Sequence, residues 1–152
     1  MIDPNDVHSL ALVAWREAEG EGTYGCTAVM WVCRNRVGKP GFGKTLHDVI
    51  YGKNQFTSMS VPSDPRFSVN PADGDLMWQS CQSIAQRVLE GVLPDNTGGA
   101  IFYANLKNIQ PGGWFERNIV DKYPVTKTIN HHTFYGPLDN HEEVQSAATG
   151  EA

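Results

Sequence analysis

The run from Ala28 to Cys33 constrains the fold more than any other feature, because every residue in it is apolar. A helix built from this run has no polar face, so other elements of the protein must surround it. Thr23 is suited to cap such a helix, and Gly38 and Pro40 are suited to end it after Val37. The sequence therefore predicts a central, buried helix between these signals.

Two amphipathic helices are predicted on either side of this central helix in the chain. Asp3 and Pro4 form an N-cap followed by a proline in the first turn, and apolar residues then recur three and four positions apart as far as Ala18. Asp73 is expected to cap the second amphipathic helix, which Gly91 ends. The sequence is therefore typical of a mostly helical protein.

The remainder of the chain lacks long helical patterns. A short helix is predicted at 45–51, and residues 54–72, which are rich in Ser and Pro, are expected to form a long folded surface loop. Residues 94–136 are rich in Gly, Asn and aromatic residues, which favours short irregular strands and loops over helices. We therefore predict an α+β fold, mostly α with a small irregular β part, as a single domain over 1–137, followed by a disordered polar tail over 138–152.

The composition excludes several classes of protein. With 40% hydrophobic and 10% aromatic residues, the chain has the material for a folded core and is not intrinsically disordered. No apolar run approaches the roughly 18 residues of a membrane span, so membrane insertion is not predicted. The net charge is −5, and acidic residues after Leu138 supply most of it, so the rest of the chain offers no basic surface to nucleic acid.

The cysteines and histidines do not suggest a metal site. Cys26 and Cys33 are separated by about 10 Å along the predicted central helix, which is too far for a disulfide, and Cys81 could meet either of them only through tertiary contact. Buried free thiols are therefore expected. The adjacent pair His131 and His132 points in different directions on a strand and is unsuited to one shared metal ion. No metal and no cofactor are predicted.

Three carboxylates, Glu17, Glu19 and Glu21, lie close together where the first helix ends. The C-terminal end of a helix disfavours negative charge, and like charges repel one another, so both effects favour a protonated carboxyl. A carboxyl that is protonated near neutral pH can act as a general acid on a glycosidic oxygen. The alternative is a solvated acidic helix end with no chemistry, and the helical spacing does not choose among the three residues.

Aromatic and amide side chains in the second half of the chain suit the binding of a polysaccharide. Sugars stack on aromatic faces and accept hydrogen bonds from amides. For each aromatic residue taken alone, a place in the core is the simpler interpretation. The residues with the required chemistry are Gln55, Phe56, Tyr103, Asn105, Trp114, Phe134 and Tyr135.

Taken in this order, the segments resemble the SleB/CwlJ-type cell wall hydrolase family. The family's motifs are Glu-Ala-x-Gly-Glu, Asn-Arg-Val, Gln-Phe-Ser, Thr-Gly-Gly-Ala and Gly-His-x-Phe-Tyr. They are matched over residues 17–21, 35–37, 55–57, 97–105 and 132–135. The chain departs from the family at Thr57, which replaces Ser, and at Asn130 and His131, which stand where the family has glycines.

The resemblance covers residues 8–136 and implies a lysozyme-like fold of the lytic transglycosylase type. It implies cleavage of the β-1,4 bond between N-acetylmuramic acid and N-acetylglucosamine in peptidoglycan, with a 1,6-anhydro product. Glu17 matches the residue that acts as general acid and then as base. Glu21 is expected to be a structural residue that stabilises the site without contacting the glycan. Glu19 occupies a variable position of the family motif. The expected contacts to the glycan strand are Gln55, Phe56, Tyr103, Asn105, Phe134 and Tyr135.

Two other functions remain open from the sequence. A hydrolytic muramidase needs a second carboxylate about 5–9 Å from the first, and Glu19, Glu21 or Asp64 could supply it. A non-catalytic glycan-binding or virion structural protein would be favoured if Glu17 were locked in a salt bridge with Arg34 or Arg36.

The beginning of the chain bears on where such an enzyme would act. The first residues are acidic and lack the apolar stretch of a secretory signal, so synthesis in the cytoplasm is expected. This is typical of a phage endolysin that a holin releases to the cell wall, or of a virion-associated enzyme. We expect such a protein to act on glycan strands as a monomer.

Overall fold

The computed structural model describes residues 1–138, which fall into two compact units, Met1–Thr97 and a second unit that begins at Gly98. A 3₁₀ turn, Glu19–Glu21, connects the first two helices of the first unit. No helix among the described residues has the length and apolar character needed to cross a membrane. The helices of the first unit are α1 (Pro4–Ala18), α2 (Gly22–Arg36), α3 (Leu46–Tyr51), α4 (Thr57–Ser60) and α5 (Leu76–Glu90).

The core of the first unit is built around α2, as predicted. Helices α1 and α5 both pack against α2 and against each other. Val29, Met30 and Val32 of α2 are completely buried. Trp31 departs from the expectation of an entirely apolar environment, since it is partly exposed and carries the guanidinium of Arg34 over its ring at 4.9 Å. The apolar run therefore places α2 in the interior, with one flank that reaches the surface.

The N-cap predicted for α1 is observed, whereas the N-cap predicted for α2 is not. The carboxylate of Asp3 accepts a hydrogen bond from the backbone of Asn5 at 2.8 Å, as the predicted N-cap requires. Thr23 does not cap α2, because that helix begins at Gly22.

The cap of α5 was predicted at the wrong aspartate. Asp75, not Asp73, precedes the first helical residue and accepts a hydrogen bond from the backbone of Trp78 at 2.8 Å. Asp73 lies in the turn before it, too early to reach the first helical N–H groups. The predicted end of α5 is confirmed, since Gly91 has the left-handed conformation, with φ 77°, that glycine adopts readily.

Residues 54–72, predicted as a surface loop, contain the one-turn helix α4 and are anchored in the core. Ser58 and Met59 are buried within this turn. The guanidinium of Arg16 donates to the backbone oxygens of Ser58 at 2.9 Å and Val69 at 3.1 Å. A single turn of helix has too few residues to show a period of 3.6, so the sequence pattern did not predict it.

The second unit contains the small β part that the sequence predicted. Strands β1 (Phe102–Ala104), β2 (Val125–Ile129) and β3 (His132–Tyr135) form an antiparallel sheet in the order β1-β3-β2. Asn130 lies in the turn between β2 and β3 with φ 52°, a conformation that asparagine tolerates better than most residues. A short π-helical segment, Glu116–Val120, precedes β2.

The tail predicted for 138–152 lies outside the described residues except for Leu138. Its disorder and the predicted domain limit at 137 stay predictions.

All three cysteines are free and buried, as expected. Burial is the main cause that raises the pKa of the Cys33 thiol to about 12. A hydrogen bond with Cys81, followed by burial, raises the pKa of the Cys26 thiol. The Cys26 thiol also donates to the backbone oxygen of Ala18 at 3.2 Å. The thiols therefore act as small core side chains.

We expect the three thiols to be unreactive while the protein is folded. Cys26, Cys33 and Cys81 are each 0% exposed, so a thiol reagent at pH 8 has no access to them. Ellman's reagent should label no thiol in the native protein and three after unfolding in guanidinium chloride. Rapid labelling of native protein would contradict the buried placement of the thiols.

Burial also predicts opposite outcomes for two identical substitutions. Leu10 is 0% exposed in α1, whereas Leu76 is 77% exposed at the start of α5. Leu10→Ala should lower the free energy of unfolding by about 2–5 kcal/mol because it leaves a cavity. Leu76→Ala should change it by no more than about 0.5 kcal/mol. Urea denaturation measures both, and similar losses would contradict the described core.

Candidate active site

Glu17 lies in the last turn of α1, next to buried residues. Its side chain is partly exposed, while Trp15 and Ala18 beside it are 4% and 2% exposed. Burial has the largest effect on the pKa of the Cys33 thiol. Smaller effects come from two charges, since Arg36 lowers this pKa and Glu17 raises it. Glu17 is therefore a partly exposed carboxyl near the buried thiol of Cys33.

The hydroxyl of Ser58 in α4 donates a hydrogen bond to Oε2 of Glu17 at 2.8 Å. Ser58 is 1% exposed, and its backbone oxygen accepts from the guanidinium of Arg16 at 2.9 Å. Two consecutive residues of α1 therefore bind the same residue of α4. This contact joins segments that are 41 positions apart in the chain.

Glu19 forms an ion pair with Arg66. Its carboxylate lies 2.8 Å from Nη1 of Arg66, and both side chains are about one-third exposed. The guanidinium of Arg66 also stacks over the ring of Trp15 at 4.7 Å. Arg66 reaches back from the segment after α4 to form this pair.

Glu21, predicted to support the site, stands at the residue before α2. It is partly exposed and makes no side-chain capping bond to that helix.

Asp64, the loop carboxylate that a muramidase could use, is stabilised in its charged form. The hydroxyl of Thr57 donates to it, and the backbone of Arg66 donates at 2.8 Å. These hydrogen bonds, with the nearby guanidinium groups of Arg66 and Arg16, hold the pKa of Asp64 below its usual range. Asp64 therefore has the chemistry of a base or an electrostatic stabiliser and not of an acid.

The Gln-Phe-Thr motif packs against a buried arginine. Arg36 is 7% exposed, and its guanidinium lies 4.7 Å from the ring of Phe42 and 5.1 Å from that of Phe56. Nη1 of Arg36 donates to Gln55 at 3.4 Å, and the amide nitrogen of Gln55 contacts the backbone oxygens of Gly41 and Phe42 at 3.5 and 3.4 Å. Phe56 is thus a core residue. Gln55 is partly exposed, and its amide nitrogen is hydrogen-bonded to the backbone of this protein.

Arg34 is one of two arginines, with Arg36, whose ion pair with Glu17 would have weakened the enzyme interpretation. Among the residues that the structure describes, it donates instead to the backbone oxygen of Val88 and stacks on Trp31.

The remaining predicted glycan contacts belong to the second unit and differ in exposure. Phe134 and Tyr135 are 0% and 1% exposed, so their side chains form the core of this unit and offer a glycan no surface. Tyr103 is partly exposed, stacks on Phe134 at 5.5 Å and meets the edge of His132 at 5.0 Å. Asn105 is also partly exposed and accepts from the backbone of Lys107 at 3.1 Å.

Sequence reasoning missed Ser58 and Arg16. Ser58 follows the Gln-Phe-Thr motif directly, but nothing in that spacing shows that its hydroxyl meets Glu17. Arg16 carries an ordinary charge in the sequence, and only its hydrogen bonds give it a structural role. Arg36 belongs to the Asn-Arg-Val motif, but the motif does not show that its guanidinium packs on the ring of Phe42.

The arrangement around Glu17 is suited to proton transfer. A partly buried carboxyl has a fixed hydroxyl partner, and the neighbouring carboxylate of Glu19 is paired with a cation. Within residues 1–138, no group of three His, Cys, Asp or Glu side chains is arranged to hold a metal ion.

Two curated relatives support a common family. The spore cortex-lytic enzymes of Halalkalibacterium halodurans and Oceanobacillus iheyensis are each 28% identical to this chain over 131 residues, or 86% of its length. The matches cover 34% and 41% of those proteins, so this chain spans between about a third and two fifths of their length.

Two solved structures share the fold. The catalytic domain of the Bacillus cereus SleB protein is 24% identical, with a TM-score of 0.67 over 89% of this chain and 92% of that one. The catalytic domain of the germination-specific lytic transglycosylase SleB from Bacillus anthracis is 25% identical, with a TM-score of 0.67 over 88% of this chain and 96% of that one. The predicted lysozyme-like fold, mostly helical with a small sheet, is confirmed.

A family model described as Cell Wall Hydrolase matches residues 20–135, which is most of the chain. The match includes Glu21 and the later motifs, and it begins three residues after Glu17. The chain therefore belongs to the cell wall hydrolase family.

Proposed function

We propose that this chain is a lytic transglycosylase that cleaves the β-1,4 bond between N-acetylmuramic acid and N-acetylglucosamine in peptidoglycan, with Glu17 as acid and base. Membership of the cell wall hydrolase family supports the substrate class. A structural neighbour named as a lytic transglycosylase supports the type of reaction. The observation that carries the role of Glu17 is its partly buried carboxyl, held by the Ser58 hydroxyl at 2.8 Å.

The first step is proton donation. Protonated Glu17 gives its proton to the glycosidic oxygen, and the bond from that oxygen to C1 of the muramic acid residue breaks.

The second step returns the proton. Glu17, now a carboxylate, takes the proton from the C6 hydroxyl while that oxygen attacks C1 and closes the 1,6-anhydro ring. No water is consumed, and Glu17 ends the cycle protonated. One carboxyl therefore suffices, because the substrate supplies its own nucleophile.

Hydrolysis by a muramidase is the second candidate, and Asp64 is the observation that favours it. Hydrogen bonds from Thr57 and Arg66 keep this carboxylate charged, as a base or a stabiliser of positive charge would need to be. Glu19 is less suited, since its charge is neutralised by Arg66.

Gln55, Tyr103 and Asn105 remain the proposed glycan contacts, because their side chains are partly exposed. A role in phage lysis with a holin, or on a virion, stays a prediction.

Glu17→Gln should abolish lysis without unfolding the protein. Glutamine keeps the shape of the side chain but cannot supply a proton, so we expect the rate to fall by at least about a hundredfold. The rate is measured as release of soluble fragments from purified peptidoglycan, with circular dichroism to check the fold.

Glu19→Gln is the matched control, since it changes the same residue type two positions later and outside the proton path. It should retain most of the activity. Substantial lysis by Glu17→Gln would refute the role of Glu17.

The products separate the two candidate reactions. Mass spectrometry of fragments from the wild-type enzyme should show muropeptides that are one water molecule lighter than the products of hydrolysis. These muropeptides should resist borohydride reduction. Asp64→Asn should then keep its rate within a few-fold, because transglycosylation needs no second carboxylate. Reducible muramic acid ends, together with a large loss of activity in Asp64→Asn, would establish the muramidase instead.

A further inference from the structure

Three of the four residues of α4 carry hydroxyls, and each hydroxyl has a different partner. Thr57 donates to Asp64, Ser58 donates to Glu17, and Ser60 donates to the backbone of Phe56 at 3.0 Å. Met59 separates the last two and is buried in the core. The turn therefore directs the Ser58 hydroxyl alone, among the three, to the proposed acid.

Ser58 has little freedom to move away from Glu17. It is 1% exposed, and Phe56 and Met59 on either side are 4% and 5% exposed, which anchors the whole turn. The guanidinium of Arg16 holds the backbone oxygen of Ser58 at 2.9 Å. The hydroxyl is thus presented by backbone that is fixed independently of the hydroxyl itself.

A catalytic carboxyl benefits from such a partner. The terminal torsion of a glutamate side chain is soft, so the carboxyl plane rotates easily when nothing binds it. Misplacement of a reacting group by about 1 Å can cost roughly a hundredfold in rate. A bond from Ser58 to Oε2 defines the plane in which the carboxyl of Glu17 lies.

A hydroxyl suits both states through which the proposed acid passes. It donates to the oxygen of a carboxylate and accepts from the proton of a carboxylic acid, by rotation about its own C–O bond. An ammonium group at the same place can only donate, so it would favour the charged state. The contact can therefore persist while Glu17 gives up its proton and regains it.

We propose that Ser58 is a positioning residue that orients the Glu17 carboxyl through the whole reaction. The inference rests on the proposed role of Glu17. Ser58 itself lies beneath the carboxyl and contacts the reaction only through it. Its loss therefore lowers the rate of the chemical step and leaves substrate binding unchanged.

Ser58→Ala tests the proposal, with Ser60→Ala as the matched control in the same turn. Rates are measured over a range of concentrations of soluble, peptide-free glycan strands, at a temperature where circular dichroism shows all variants folded. We expect kcat of Ser58→Ala to fall about ten- to a hundredfold with KM within about twofold. Ser60→Ala should match the wild type, because its hydroxyl bonds only within its own turn.

Ser58→Thr, which keeps a γ-hydroxyl, should recover part of the kcat lost in Ser58→Ala. A purely structural contact would not give this recovery with unchanged KM. Equal kcat values for Ser58→Ala and Ser60→Ala would overturn the proposal, as would a loss confined to KM.

Glu17→Gln in the same assay distinguishes failure of the proposed role of Ser58 from failure of the proposed role of Glu17. If Glu17→Gln is inactive and Ser58→Ala has full kcat, only the role of Ser58 is refuted. If Glu17→Gln is active, the proposed function of Glu17 is refuted, and the positioning role of Ser58 is refuted with it.

Discussion

The burial of α2 between α1 and α5 is the constraint on which the first unit depends. An apolar run without a polar face has no stable place except the interior, and the apolar sides of two amphipathic helices cover it there. This packing fixes the axis of α1, and so the place where α1 ends. Glu17 lies in that last turn, so the position of the proposed acid follows from the hydrophobic core.

Three carboxylates near the end of α1 each have a different bonding partner. Glu19 is bound by Arg66, Asp64 accepts from Thr57 and from the backbone, and Glu17 accepts from Ser58. Residues of the same type thus occupy different electrostatic environments within a short distance.

The predictions from the sequence were most accurate where a local rule governs the structure. The cap at Asp3, the end of α5 at Gly91 and the buried free cysteines each follow from short-range geometry or from residue type, and all were confirmed. The cap of α5 was misplaced by two residues, because two aspartates precede that helix and local pattern does not distinguish them. The one-turn helix α4 was missed for lack of any period.

The candidate site was predictable in part. The crowding of Glu17, Glu19 and Glu21 is visible in the sequence, as is the order of motifs that leads to the family. The burial of Phe134 and Tyr135 was not, since an aromatic residue in a short strand suits a core and a sugar surface equally well.

The sequence by itself determined the longer helices, the central place of α2 and the cluster of carboxylates, because periodicity, capping and charge are properties of neighbouring residues. Only the tertiary structure decided which hydroxyl meets Glu17 and which cation neutralises Glu19. It also decided that the guanidinium of Arg36 packs on the rings of Phe42 and Phe56. These contacts join residues far apart in the chain, so they exist only after the core has brought the segments together.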